Sequence, residues 1–349
     1  MSQGTEVPSA DRLLELVDRM AGQPVVMLVD LVADRFITGT PKRISREAPV
    51  LILRFEGETL TPGGGANAVA NVAALGGQPL PLGVVGDDPS GRDLLAALEG
   101  AGVDVSGVRV RPGYRTPTKT RVLGGGRHSI KQQIVRFDVE ETVALRAADR
   151  EHFASRLERW RGRARVAVLS DYGYGAVEPE LLPAVRAALG ATGTVLGDSR
   201  FRLAAFRGLD GATPNEEEAE ALLGDAVDDD PERLERGGRE LLGRLGARFL
   251  LITRGSRGMA LFGPGATAHL PVHGTDQVAD VTGAGDTVIG TFALALGAGA
   301  SPLEAALLAD YAGGVVVMKM GTATLSRDEL GAAIRLDPAP LEELRWARC

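Results

Sequence analysis

The chain has 349 residues, of which 44% are hydrophobic, so it has enough apolar material for one large domain or two modest ones. Lys and Arg number 39 against 46 Asp and Glu, and the formal net charge of −7 provides no overall attraction for nucleic acid or anionic lipid. The single cysteine is the last residue, Cys349, which excludes an internal disulfide framework and a cysteine-based zinc cluster.

The N-terminal residues 1–23 carry apolar side chains at helical spacing and predict a surface-packed helical leader. This segment lacks the pattern of a secretory signal, and no apolar run is long enough for a membrane span, so we expect a soluble, cytoplasmic protein. Gly39, Pro41 and Pro49 indicate an irregular region after the first strand, in which we expect several short strands. Two further strand-like runs lie on either side of Gly124-Gly125-Gly126. Together, these two regions predict a small β flap within about residues 36–62 and 114–138.

Apolar strands alternate with helices along most of the chain, beginning at the strand Val25–Asp30, which ends in an acid. This alternation predicts an α/β fold with a doubly wound, mostly parallel sheet covered on both faces. One domain is expected over residues 24–336, followed by a C-terminal tail at 337–349. The other predicted strands are Leu80–Val85, Val166–Ser170, Val195–Asp198 and Phe249–Thr253, and the predicted helices are Ala66–Leu75, Asp93–Ala101, Ala147–Trp160, Leu181–Leu189, Pro231–Leu245, Gly285–Leu296 and Pro302–Met320.

The strongest chemical signal is the segment Asp-Val-Thr-Gly-Ala-Gly-Asp at residues 280–286, which runs directly into an apolar helix. Glycines at a helix start let backbone N–H groups approach an anion, and the helix dipole adds positive potential there. Asp286 lies in the first turn, where it can take a proton from a substrate hydroxyl. With Gly283, Ala284 and Gly285 as the anion clamp, the segment predicts phosphoryl transfer. A capped helix start with an acid beside the dipole is the structural alternative.

The same segment resembles the signature of the ribokinase-like, or PfkB-type, carbohydrate kinases, and three more elements follow the family's order. Residues 62–71 resemble its glycine pair leading into an Asn-bearing helix. Residues 213–218 resemble its Asn-x-x-Glu element, although alone they indicate only an acidic helix start. The strand-turn segment 253–258 resembles its nucleotide-side loop.

The resemblance implies a ribokinase-like three-layer sandwich and an ATP-dependent sugar kinase, a phosphotransferase with an alcohol acceptor. It implies that Glu218 holds Mg²⁺ through water, a role suited to a carboxylate. A monovalent cation and a homodimer through the flap are further candidates. The implied ATP contacts are Asn215, Glu218, Thr253, Gly255, Gly258 and Thr282, and the implied sugar contacts are Asp34, Gly63, Gly64, Asn67 and Asp280.

Within the family, the chain is most similar to the kinase half of bacterial heptose-phosphate kinase/adenylyltransferases. The likeness is carried by residues 30–36, 43–50, 169–172 and 280–290. It implies phosphorylation of D-glycero-β-D-manno-heptose 7-phosphate at the anomeric carbon, with Asp34 facing the sugar and Asp30 either nearby or acting as a strand-end cap. No adenylyltransferase half is present in the sequence, so a separate kinase is expected.

A phosphorylated sugar needs a positive clamp, and the predicted flap offers Lys119, Arg121, Lys131 and Arg136. Alternating strand residues share a face, so Lys119 and Arg121 point the same way. Edge-strand charges that discourage aggregation are the alternative. We expect the group, rather than any one member, to bind the phosphate.

Two departures from the heptose kinases leave the sugar open. Val29 replaces the usual Gly before the first acid, and Asp198-Ser199-Arg200 stands where Asp-Pro-Lys is common. A kinase of another sugar, sugar phosphate or nucleoside, and a non-catalytic sugar sensor, therefore remain alternatives. A Walker-type enzyme is disfavoured because no Gly-x4-Gly-Lys-Ser/Thr occurs. A dehydrogenase is disfavoured because Gly283-x-Gly285 follows no nucleotide-binding βαβ start.

Overall fold

A computed structural model describes residues 7–126, 131–227, 230–274 and 279–348. Residues 1–6 of the predicted leader, 127–130 of the predicted flap and Cys349 lie outside the described residues. The helices are α1 Ala10–Arg19, α2 Gly65–Ala74, α3 Pro89–Gly100, α4 Ala147–Arg159, α5 Leu182–Leu189, α6 Glu216–Leu223, α7 Pro231–Leu245, α8 Ala284–Gly297, α9 Pro302–Val317, α10 Arg327–Leu336 and α11 Ala339–Glu342. The strands are β1 Pro24–Val29, β2 Leu31–Ile44, β3 Leu51–Gly64, β4 Gln78–Gly86, β5 Val108–Arg111, β6 Thr118–Gly124, β7 Gln132–Val139, β8 Val166–Asp171, β9 Thr194–Ser199, β10 Gly211–Ala212, β11 Phe249–Thr253, β12 Met259–Gly263, β13 Ala266–Leu270 and β14 Arg345–Arg348.

The large sheet has ten strands in the order β14-β13-β12-β11-β10-β9-β8-β1-β4-β5. From β11 to β5 every neighbouring pair is parallel, whereas β12, β13 and β14 are antiparallel additions at one edge. The mostly parallel α/β prediction is therefore confirmed. The order turns at β1, where the chain runs first to one side and then to the other, and functional sites in such sheets form at the carboxyl ends of the strands near that point.

Two apolar cores lie on opposite faces of this sheet, and β1 shows why. Its side chains alternate, so that Val25 and Met27 join one buried cluster while Val26 and Leu28 join the other. Helices α1, α2, α3, α8, α9 and α10 cover the first face, and α4 to α7 cover the second. A strand buried on both sides reads as a continuous apolar run, which is what the sequence shows.

The flap is a separate four-stranded sheet in the order β3-β2-β6-β7. The expectation of an irregular region with several short strands around Gly39 and Pro41 is wrong, because β2 is one long strand from Leu31 to Ile44. Its pairing with β3 shifts register at Thr38/Gly39 and at Pro41/Arg43. Gly and Pro therefore mark irregular pairing within a long strand, a local distortion that a sheet accommodates.

Both ends of the described chain pack on the domain. Leu13 and Leu16 of α1 are fully buried, and Arg12 forms an ion pair with Glu304 at the start of α9. In the predicted tail, the described residues 337–348 contribute α11 and the edge strand β14, which pairs with β13. Within the described ranges, no helix combines the length and the apolar character that crossing a membrane requires.

Candidate active site

Helix α8 begins beside the carboxyl ends of the parallel strands, and Gly283 is its N-cap with φ +80°. That left-handed backbone favours glycine, and a Cβ here would lie 2.4 Å from Asn67 Nδ2. The N–H groups of Gly283 and Gly285 donate to no acceptor among the described residues, and Gly285 is exposed. Ala284 N–H, predicted as a third donor to the anion, already donates to Val281 O at 3.2 Å. Of the three predicted donors, two are therefore free.

Asp286 lies in the first turn of α8 and is 2% exposed. Tyr172, which follows β8, donates its hydroxyl to Asp286 Oδ1 at 2.7 Å. Asn67, in the first turn of α2, donates from Nδ2 to Asp286 Oδ2 at 3.3 Å and to Gly283 O at 3.2 Å. Asn71 holds Asn67 in turn, donating from Nδ2 to its Oδ1 at 3.2 Å. One hydrogen bond to each carboxylate oxygen therefore fixes the orientation of the Asp286 carboxylate.

Burial raises the pKa of Asp286 to about 7, since removal from water disfavours the charged carboxylate. The hydrogen bonds from Tyr172 and Asn67 oppose this effect because they stabilise the charged form. Burial also raises the pKa of the Tyr172 hydroxyl well above its usual value, with Asp286 adding to the effect, so the phenol remains a donor. A carboxylate with a pKa near neutral is well matched to general-base work.

The variant Tyr172→Phe removes one of the bonds that hold the pKa of Asp286 down. The pKa of Asp286 should then rise, and the acidic limb of the kcat/KM–pH profile should move to higher pH. Activity should be lost most at pH 6–7 and recover above pH 8. A uniform loss at every pH would instead indicate that Tyr172 only maintains structure. Profiles of both proteins between pH 5.5 and 9.5 decide between these results.

Asp30 is the strand-end cap that the sequence left as one of two possibilities. Its carboxylate accepts backbone N–H groups from Tyr172, Tyr174 and Ala176, each at 2.9 Å. Burial raises its pKa to about 6, while these three bonds lower it. Asp30 thus shapes the loop that places Tyr172 against Asp286.

Asp34, predicted to face the sugar, is buried on β2. Its Oδ1 accepts a hydrogen bond from Arg121 Nη1 at 2.6 Å, an ion pair between neighbouring flap strands. A Cβ on Gly63 would lie 2.5 Å from Asp34 Oδ2, so only glycine leaves space for the carboxylate there. Gly64, at φ +51°, turns the chain into α2 beside Val32 and Tyr172. The sugar-side residues are thus adjacent, but Arg121 already neutralises Asp34.

Asp280 joins two loops around the start of α8. Its Oδ1 accepts from Thr282 N at 2.9 Å and its Oδ2 accepts from Gly321 N at 3.1 Å. Burial acts against ionisation, but these bonds hold the pKa of Asp280 below its usual value. Asp280 and Thr282 therefore lie at the helix start, with both oxygens of Asp280 used by backbone donors.

The predicted nucleotide side is a second cluster. Asn215 caps α6 by accepting from Glu218 N, and Glu218 Oε2 accepts from Asn215 N in return. Thr253 lies beside Asn215 through a parallel bridge. The 253–258 loop is tied to α6 by ion pairs of Arg254 and Arg257 with Glu216. Its Gly255 and Gly258 have φ of +56° and +75°, and a Cβ on Gly258 would overlap Leu270 O.

Known proteins with similar sequences show which family the chain belongs to. The family model described as "pfkB family carbohydrate kinase" matches residues 24–329. The chain belongs to this family. Two relatives named "Bifunctional protein HldE", from Mesorhizobium japonicum and Halorhodospira halophila, are 38% and 42% identical over 332 and 320 residues. These matches cover 94% and 90% of the chain but only 65% and 64% of those proteins, so the chain spans about two thirds of their length.

Solved structures of the pfkB fold agree with the observed architecture. Escherichia coli phosphofructokinase-2 in complex with substrates and products has a TM-score of 0.72 at 20% identity, covering 90% of this chain and 98% of that one. Arabidopsis thaliana ribokinase complexed with ribose and ATP has a TM-score of 0.71 at 22% identity, covering 90% and 100%. These structures confirm the predicted ribokinase-like fold, and the family match confirms the carbohydrate-kinase class.

Three residues of this pfkB-family site were missed as site residues in the sequence. Tyr172 holds the carboxylate of Asp286, and Arg200 lines a cavity beside it. The carboxylate of Asp198, at the end of β9, has no hydrogen-bond or ion-pair partner in the described chain, and burial followed by the charges of Glu218 and Asp286 raises its pKa well above normal. The sequence signal was position alone, because all three stand at or just beyond the carboxyl ends of β8 and β9.

Proposed function

We propose that the chain is an ATP-dependent kinase that phosphorylates a hydroxyl group of a sugar. The observation that carries this proposal is Asp286, a buried carboxylate with a pKa of about 7 beside two free N–H donors at the start of α8. Membership of the pfkB family supports it. The ATP named with the ribokinase structure makes ATP the proposed donor.

In the proposed reaction, the sugar hydroxyl oxygen attacks the γ-phosphorus of ATP in line with the departing oxygen. A new P–O bond forms at the sugar, the bond between the γ-phosphorus and the β,γ-bridging oxygen breaks, and ADP leaves. Asp286 accepts the hydroxyl proton on one of its carboxylate oxygens. The hydrogen bonds from Tyr172 and Asn67 fix the orientation of this carboxylate. The N–H groups of Gly283 and Gly285 stabilise charge on the transferring phosphoryl group, and a donor of this kind is typically worth about 10²–10³ in rate.

The residues present fit a hydrated magnesium ion better than a directly ligated one. In the parts of the chain that the structure describes, no three Asp, Glu, His or Cys side chains form a metal-ligating group. Burial first, and then the charges of Glu218 and Asp286, nevertheless raise the pKa of Asp198 well above its usual value. Nearby positive charge would relieve that repulsion, and Asp198 and Glu218 would hold the ion through its water shell. When bound, magnesium supplies charge neutralisation for the phosphates of ATP.

For the acceptor we propose D-glycero-β-D-manno-heptose 7-phosphate, with transfer to the anomeric hydroxyl. The similarity of residues 30–36, 43–50, 169–172 and 280–290 to heptose-phosphate kinases supports this choice, as do the relatives named HldE. In this proposal Gly63, Gly64, Asn67 and Asp34 surround the sugar. The nucleotide lies on the side of Asn215, Thr253, Gly255 and Gly258.

ADP release with a panel of acceptors tests the proposal. Heptose 7-phosphate, fructose 6-phosphate, ribose and adenosine should be compared at equal concentration, with kcat/KM highest for the heptose phosphate. A higher kcat/KM for any other acceptor would overturn heptose 7-phosphate as the proposed acceptor but would leave the proposed kinase activity intact. ADP release with none of them would favour the alternative of a non-catalytic sugar sensor.

We also propose that two copies of the chain associate through the flap. Large apolar side chains are exposed on its strands, with Phe55 exposed by 64% and Phe137 by 53%, and exposed apolar surface of this kind commonly marks an interface. Escherichia coli phosphofructokinase-2 also has a tetrameric form. Light scattering should give a dimer mass for the wild type and a monomer mass for Phe137→Glu. Leu336→Glu, at the exposed end of α10, is the control and should remain dimeric; a wild-type monomer at tens of micromolar would refute the interface.

A further inference from the structure

A cavity of about 410 Å³ lies between the flap and the loop that follows β8. Three cations line it, Lys119 and Arg136 from the flap and Arg200 from the segment after β9, together with Tyr172 and Tyr174. Glu140 is the single acid in its lining. Three positive side chains against one negative side chain make this cavity suited to an anion.

The flap cations differ in whether their charge is already neutralised. Arg121 is paired with Asp34, Lys131 with Glu56, and Arg136 with Asp138. In contrast, neither Lys119 nor Arg200 forms an ion pair or a side-chain hydrogen bond with the described residues; each only approaches a ring, Lys119 that of Tyr172 and Arg200 that of Phe201. Two uncompensated cations therefore face the same cavity.

The environment of Lys119 is unfavourable for a lone ammonium group. Burial lowers the pKa of Lys119, and the charges of Arg136 and Arg200 lower it further, while Asp34 and Asp286 act in the opposite direction. A bound anion would remove this repulsion and replace the water that the ammonium group has lost.

Tyr172 relates the cavity to the reacting centre. Its hydroxyl donates to Asp286, while the face of its ring lies 5.4 Å from Lys119 Nζ. Tyr172 therefore contacts both the proposed base and one of the cations that line the cavity. A small sugar whose hydroxyl meets Asp286 can extend past this ring, but its reacting hydroxyl and its cavity-bound group must be at different ends.

We propose that Lys119 and Arg200 bind a phosphate monoester at the end of the acceptor sugar remote from its reacting hydroxyl, with Arg136 at the edge of this subsite. The assignment rests on the proposed function, because Asp286 defines where the reacting hydroxyl lies. It replaces Arg121 and Lys131 of the predicted clamp with Arg200. The rival source of phosphate is ATP, since Arg200 also influences the pKa of Glu218 on the nucleotide side.

The test compares acceptors with and without phosphate. Calorimetry should measure binding of heptose 7-phosphate and heptose, and of fructose 6-phosphate and fructose, to the wild type, Lys119→Gln and Arg200→Gln. Arg207→Gln is the charge-matched control, because Arg207 is an exposed cation in the same β9–β10 connection and its side chain has no partner in the described chain. Lys119→Arg keeps the charge. Binding of ATP is measured with each protein.

Each of Lys119→Gln and Arg200→Gln should weaken binding of the phosphorylated sugar by about 10- to 100-fold, the usual range for losing a hydrogen bond between charged groups. Binding of the neutral sugar and of ATP should change less than twofold, and Arg207→Gln and Lys119→Arg should resemble the wild type. If Lys119→Gln lowers the melting temperature strongly, Arg200→Gln gives the decisive result because Arg200 is exposed.

Two outcomes would overturn the subsite. If the variants weaken ATP instead of the sugar phosphate, the two cations belong to the nucleotide site. If the wild type binds the neutral member of each pair at least as tightly, the cavity holds no acceptor phosphate. In that second case ADP release with the neutral sugars shows whether the kinase function stands, so the two proposals fail separately.

Discussion

Replacing Asp286 with asparagine is expected to lower kcat by about 10²–10⁴, the usual contribution of a positioned base, with ATP affinity unchanged. Asparagine keeps the size of the side chain and can still accept the Tyr172 hydrogen bond, but it cannot take the proton of the attacking hydroxyl. Steady-state kinetics and nucleotide titration measure the two effects. Near-normal turnover would show that Asp286 is not the base.

The matched control is Asp328→Asn, which changes an exposed acid in the first turn of another helix, α10. It should leave kcat unchanged. The folding of Asp286→Asn can be checked by its stability, because the pKa of Asp286 is raised in the folded chain. A raised pKa means that the stability contributed by this group is present at low pH and is lost as pH increases from about 4 through about 7. At pH 8 the neutral asparagine should therefore unfold at no lower temperature than the wild type.

The substitution Gly283→Ala is expected to reduce kcat by about 10²–10³, as for loss of one oxyanion donor. The left-handed backbone at this N-cap disfavours a side chain by about 1–2 kcal/mol. The added Cβ would also meet Asn67 Nδ2 at 2.4 Å. Because Asn67 bonds both Gly283 O and Asp286, the helix start and the base should shift together.

Gly265→Ala separates backbone strain from the effect on the site. Gly265 has φ +86° in the turn between β12 and β13, and no atom lies within 4 Å of the position that its Cβ would take. Gly265→Ala should lose only the stability that the strained backbone costs, Gly283→Ala should lose at least as much because of the contact with Asn67, and only Gly283→Ala should lose turnover. Equal kcat values for the two variants would contradict the proposed role of the α8 start.

The sequence predicted most of the parallel framework because its signals are local. Helix Pro231–Leu245 and strand Phe249–Thr253 occur with the predicted bounds. For the helix, Asp230 acts as the N-cap and Gly246 ends it in the left-handed conformation. The flap was harder to predict. Gly39 and Pro41 suggested an irregular segment, yet cross-strand pairing with β3 and β6 makes β2 a long strand, and such pairing is not visible in local composition.

The candidate site shows the same limit. The glycines and Asp286 could be found because their spacing in the chain is the signal. The electrostatic state of each charged residue could not be found in this way. Arg121 is neutralised by Asp34, 87 positions away, whereas Lys119, two positions along the same strand, keeps a free charge. Tyr172 and Asp286 are 114 positions apart, and only the folded chain brings the phenol to the carboxylate.

The central claim is phosphoryl transfer from ATP to a sugar hydroxyl, and product analysis by ³¹P NMR with heptose 7-phosphate and magnesium ATP tests it most directly. We expect a second sugar phosphate whose phosphorus couples to the anomeric proton, formed in equal amount to ADP and about 10²–10⁴ times more slowly with Asp286→Asn. No sugar phosphate and no ADP above the ATP-only blank, with heptose 7-phosphate or any acceptor of the panel, would contradict the account.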